Sequence, residues 1–138
     1  MAQFARPIQD VTAWASGTFA SIDESVADDA DYISSETSPN QDVYVCKLGT
    51  ITDPASSSGH VLRYRYRKSA SGAPATDLTV QLRQDYVNEG SPGTLIEAWS
   101  HTGISSSFST QEQTLGTTET DSITDYSSLY VRIVADES

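Results

Sequence analysis

Cysteine is almost missing from this chain: Cys46 stands alone in 138 residues. A single cysteine excludes an internal disulfide and any CxxC metal clamp. It lies in the run Val43-Tyr44-Val45-Cys46-Lys47-Leu48, which reads as a buried strand rather than the setting of a nucleophile. Histidine is nearly as scarce. His60 and His101 each sit at the edge of a strand candidate, and no GxSxG elbow accompanies them, so a serine or cysteine hydrolase has no support. No glycine-rich loop joins a strand to a helix, which removes the usual phosphate cradle. Positive charge is short too, with eight basic residues against nineteen acidic ones and a formal net charge of −11. A surface this negative repels phosphate backbones and anionic headgroups, so neither nucleic acid nor membrane is an expected partner. No apolar run approaches the ~20 residues that span a bilayer. Residues 1–7 lack the apolar stretch of a secretory signal, which implies synthesis in a cytoplasm. The expectation is a protein that is not an enzyme and needs no cofactor.

What is present points to strands. The length suits one domain with one core. Apolar residues make up only 37% of the chain, and the abundant Ser and Thr favour strands and turns over helices. Strand candidates fall at 19–22, 43–51, 61–68, 78–83, 94–100, 108–115 and 129–135, with a short extended piece at 31–34. Period-two alternation sorts their faces. Leu62, Tyr64 and Tyr66 oppose Arg63, Arg65 and Arg67. Leu95 and Trp99 oppose Ile96 and Ala98. Leu129, Val131 and Ile133 point inward. Gly/Pro/Ser-rich turns at 53–59, 69–74 and 88–93 separate successive strands. One short helix is expected near 118–123, with Thr118 as its cap and Asp121 in its first turn. The predicted fold is all-β: an antiparallel β-sandwich, jelly-roll-like, of about eight strands. Residues 1–12 form an N-terminal arm or first strand, with weak local structure that would order on docking, and residues 13–138 form the sandwich.

Three clusters are candidates for function. Asp23, Glu24, Asp28, Asp29 and Asp31 crowd one polar segment, and Asp28, Asp29 and Asp31 are a candidate Ca²⁺ site because hard cations take oxygen ligands. Their spacing does not match an EF-hand, and a solvated loop is the simpler reading. The arginines 63, 65 and 67 form a ladder on one strand face, with Arg83 and Arg132 on other strands. The ladder either pairs with acids of its own sheet or receives a neighbouring acidic copy. Finally, Trp14 and Tyr86 lie in irregular contexts where an aromatic ring can stay exposed and stack on a sugar. Trp99 and the tyrosines of the alternating strands are expected in the core.

The order of certain motifs resembles a group of small structural proteins of tailed bacteriophages. It is carried by Arg6-Pro7-Ile8-Gln9-Asp10-Val11 with Trp14, by Ile22-Asp23-Glu24, and by Asp28-Asp29-Ala30-Asp31-Tyr32-Ile33. Gly59-His60-Val61-Leu62-Arg63-Tyr64-Arg65-Tyr66-Arg67-Lys68 and Leu78-Thr79-Val80-Gln81-Leu82-Arg83 follow. Ala98-Trp99-Ser100-His101-Thr102 and Asp121-Ser122-Ile123-Thr124-Asp125-Tyr126 complete it, so the likeness spans nearly the whole chain. It implies a virion component made in the bacterial cytoplasm: a capsid decoration (cement) protein on the outer surface of the major capsid protein shell. A homo-oligomer, with a trimer favoured, is the expected assembly. The resemblance carries over no functional residues. Phe4, Arg6, Ile8, Trp14, Arg63, Arg65 and Arg67 are the interface candidates on their own chemistry. The alternatives are a carbohydrate-binding or host-recognition sandwich, such as a head fibre or receptor-binding domain, and a tail or neck component.

Overall fold

The computed structural model describes residues 2–69 and 74–137. Residues 70–73 of the turn expected at 69–74 lie outside the described residues. Among the described residues seven strands form: β1 (Pro7–Thr12), β2 (Asp42–Leu48), β3 (Val61–Tyr66), β4 (Thr76–Gln84), β5 (Thr94–His101), β6 (Ser109–Thr114) and β7 (Leu129–Glu137). They make a five-stranded sheet in the order β1-β2-β7-β4-β5 and a two-stranded β3-β6 ribbon. Every pairing is antiparallel. The fold is therefore all-β and sandwich-like, as the alternation implies.

The core lies between the two sheets. β4 alternates cleanly, turning Leu78, Val80, Leu82 and Gln84 inward. Tyr44, Cys46 and Leu48 from β2 and Leu129, Val131 and Ala135 from β7 join them. Leu62, Tyr64 and Tyr66 of the ribbon close over this layer as predicted, with Ile133 and Trp99 packed beside it. Ile104, Leu115, Ile123 and Tyr126 seal the ends. Each fully buried aliphatic side chain of this layer contributes about 1.5–3 kcal/mol.

Four expectations are corrected. Residues 19–22 are not a strand: Phe19–Ser21 is one 3₁₀ turn. The Asp10 carboxylate accepts the Phe19 N–H at 2.8 Å, and Ser21 and Ile22 bond back to Thr18 and Phe19, which curls the backbone. The piece at 31–34 contributes only a single bridge, Ser34 to Ser16. The faces of β5 are mixed, because a bulge pairs Leu82 with Glu97 and Arg83 with Leu95, skipping Ile96. The extra residue carries Ile96 into the core with Trp99 and leaves Leu95 exposed on the outer face. The helix, α1 (Thr117–Asp121), starts earlier than expected. Gly116 is its N-cap, Glu119 rather than Asp121 lies in the first turn, and no side chain caps it.

Residues 7–12 of the arm form β1, an edge strand of the large sheet. Beyond its pairing with β2, Gln3 and Thr52 exchange two hydrogen bonds of 2.9 and 2.8 Å, and the Gly49 N–H donates to the Arg6 carbonyl. Asp10 also accepts the Tyr44 hydroxyl at 2.7 Å, tying the strand to the buried layer.

Candidate interaction surface

The outer face of the β3-β6 ribbon carries the arginine ladder. Register places Arg63 opposite Glu112 and Arg65 opposite Thr110. Arg63 Nε meets Glu112 Oε1 at 2.9 Å. Arg65 makes a two-pronged bond to Asp29, at 2.6 Å from Nε and 2.7 Å from Nη2, while Nη1 donates to Thr110 Oγ1 at 2.9 Å. This fork is the geometry in which a guanidinium holds a carboxylate best. The Arg65 hydrogen bonds keep the Asp29 carboxyl below its ordinary range. The Phe108 ring supports both Arg65 and Arg67, each guanidinium carbon 4.7 Å from its centroid. Two of the ladder's three arginines, Arg63 and Arg65, thus pair within their own chain, with residues 49 and 36 positions away.

A second exposed feature runs from the segment just before β1 into that strand. Phe4 is 63% exposed, Ile8 50% and Val11 37%. Ile8 and Val11 stand at the two register shifts where β1 bulges against β2, so regular pairing does not dictate their direction. Arg6 lies over the Phe4 ring at 5.5 Å. Trp14 is not among the exposed residues. It is half-buried, its indole N–H donates to the Asp42 carbonyl at 3.2 Å, and its ring lies 5.9 Å from that of Tyr44. The structure therefore separates Trp14 from the other interface candidates.

Tyr86 departs further from expectation, being only 3% exposed. The loop 85–93 folds over the outer face of the large sheet. There Tyr86 approaches the Tyr130 ring at 5.9 Å and donates to Glu89 at 2.6 Å. Glu89 in turn accepts from Arg132 Nε at 3.0 and 3.1 Å. This covering was not legible in the turn's composition, because Asn, Gly and Pro announce a reversal without saying what it folds onto. Chiefly through Arg132, and with help from the Tyr86 hydroxyl, the Glu89 carboxyl is held down at about 2. Its folded value lies below the ordinary 4.5, so the contact stabilises fully above about pH 4.5 and is lost as pH falls through about 2. Glu89 is 44% exposed, so after solvent screening about 1 kcal/mol is expected. Denaturation of the parent and Glu89→Gln proteins between those pH values checks this: the stability gap should be present at the upper end and vanish at the lower.

The remaining reactive side chains are engaged in packing. His101 Nε2 lies 2.7 Å from the Tyr64 hydroxyl, and burial lowers its pKa. His60 contacts the Tyr126 hydroxyl at 2.8 Å through Nε2 and the Ser58 carbonyl at 3.2 Å through Nδ1. Burial pushes the Cys46 thiol up to about 12, which disfavours thiolate. Among the described residues, no three or more His, Cys, Asp and Glu side chains gather as a metal-binding group. Of the proposed Ca²⁺ ligands, Asp29 is held by Arg65 and Asp28 accepts the Ala30 N–H at 2.9 Å. An open polar cleft of about 250 Å³ lies between residues 53–57 and the α1 region, lined by Asp53, Ser57, Thr120, Asp121 and Tyr126.

These features define an all-β, two-sheet protein with an arginine-bearing ribbon face and exposed apolar side chains at and just before its edge strand β1. Compared with protein-family models, curated proteins and solved structures, the chain matches none.

Proposed function

We propose that this chain is a non-enzymatic virion structural protein of a tailed bacteriophage, a decoration protein that docks on the outer surface of the capsid shell. The motif order described above supports the phage setting. The observation that carries the docking role is exposed Ile8 and Val11 on the edge strand β1, with exposed Phe4 in the segment just before it. Such side chains remain in water on the free chain, while the strand beneath them is already ordered, so docking needs little further ordering. The acidic surface keeps the chain soluble before assembly. Of the two aromatic residues open to stacking on a sugar, Tyr86 is buried and Trp14 is half-buried with its indole N–H bonded to the Asp42 carbonyl, which disfavours the glycan-binding alternative.

Because β1 is bonded to β2, point substitutions test this better than removal of the arm. The Phe4→Ser/Ile8→Ser double variant should keep its circular dichroism spectrum and melting temperature. Its occupancy on purified shells should drop about tenfold or more. Full occupancy of the double variant would remove β1 as the contact. Absence of the parent protein from shells, or only about a dozen copies per particle, would replace the decoration reading with a tail or neck role.

A further inference from the structure

Basic charge is concentrated on this acidic chain: four of its eight basic residues lie between Arg63 and Lys68. On the outer face of the ribbon, Arg63 has Glu112 and Arg65 has Asp29. Arg67 shares the Phe108 ring with Arg65 but forms no ion pair among the described residues. The segment 22–41 that delivers Asp29 contains no helix or strand, and Asp23, Glu24, Asp28 and Asp31 cluster around Asp29 in its first half. None of these four forms an ion pair among the described residues. Each chain therefore carries both halves of a complementary pair, a stacked arginine ladder and a carboxylate-rich loop. The Asp29–Arg65 fork shows that the two fit one another.

We infer that the outer face of the β3-β6 ribbon is a self-association surface, and that its occupant is the acidic segment 23–31 of a second copy of this chain. Arg67 takes a carboxylate of the neighbour's loop beside the fork already formed by Arg65. A loop on one copy meeting a ladder on the next is a head-to-tail contact, which closes into a ring or runs on as a filament. The net charge of −11 opposes association only weakly at physiological salt. The Debye length is then ~8 Å, so distant like charges are screened while contacting pairs are screened less. The inference does not depend on where in a virion, or elsewhere, the assembly is used.

Sedimentation equilibrium of the purified full chain tests it. Association is expected at about 0.15 M salt, where distant like charges are screened, and should weaken toward about 1 M as the contacting pairs are screened too. Arg67→Glu should raise the dissociation constant about tenfold or more, because it places like charges together, and Asp31→Arg should do the same. Combining the two substitutions should recover much of the affinity. Both sites are exposed, and circular dichroism of each variant verifies the fold. A chain that stays monomeric at about 0.15 M salt overturns the inference. So does association indifferent to Arg67→Glu, or a monomer that instead binds a foreign acidic protein through Arg67. Shell occupancy is a separate measurement, so failure here leaves the docking role of β1 to its own test.

Discussion

Replacing Gly93 with alanine is expected to lower the stability of the protein by about 3 kcal/mol or more, measured by urea denaturation. Gly93 closes the loop between β4 and β5 with φ at +70°. A Cβ at this position would lie 2.1 Å from the Gln84 carbonyl oxygen and 2.7 Å from the Asp85 carbonyl. These are backbone atoms of the strand end, so no rotamer change relieves the clash. Relief requires the loop 85–93 to move, and with it Tyr86 and Glu89 over the large sheet. A second signature should accompany the loss: the acid-dependent stability from the Glu89–Arg132 contact should shrink in the same variant. A loss of less than about 1 kcal/mol would mean that the loop adopts another closure at little cost.

The second large effect is expected at Gln84, one of two buried polar side chains among the described residues, at 4% exposure. Its position follows from β4's alternation, which turns every second residue inward, here beyond Leu82. The amide oxygen accepts the N–H groups of Thr124 and Asp125 at 2.7 and 2.9 Å, and the amide nitrogen donates to Thr124 Oγ1 at 3.0 Å. One side chain thereby supplies the acceptor for two backbone donors in the connection before β7. Gln84→Leu keeps the approximate size but leaves those donors without a partner. The bonds are part-buried and Thr124 and Asp125 are themselves exposed, so water meets some of the need and a total loss of about 1–3 kcal/mol is expected. Hydrogen exchange localises it: the Thr124 and Asp125 amides should lose protection ahead of the β4 and β7 amides. If those two amides stay protected in the variant, Gln84 is not what holds the connection.

Both effects arise at the end of β4, where strand, hairpin loop and the α1–β7 connection converge. They differ in cause. Gly93 is needed for the space it leaves empty, and Gln84 for the bonds it makes. Neither role was apparent from a single polar residue after a strand or from one glycine among several in a turn.

The strands themselves were readable because their signal is local. In 61–66 and 76–84, each side chain's direction depends on its neighbours in the chain, so apolar alternation names the inward face before any partner strand is known. Tyr64, Tyr66, Leu78, Val80 and Leu82 all lie where alternation put them. The same logic placed Arg63, Arg65 and Arg67 together on the opposite face.

Other features depend on which distant segments meet. β1 pairs with β2 across the long polar segment, and β7, last in the chain, lies at the centre of the large sheet. Asp29 reaches Arg65 from 36 residues away, and Tyr86 is buried because its own loop folds back on the sheet. The Ile96 bulge reverses a face assignment that strict alternation makes, since one inserted residue shifts every later side chain. Alternation along a strand is set by bonds between adjacent residues and so is written in composition order. Pairing order, bulges and the covering of turns are set by contacts through space, and only the folded chain chooses among those.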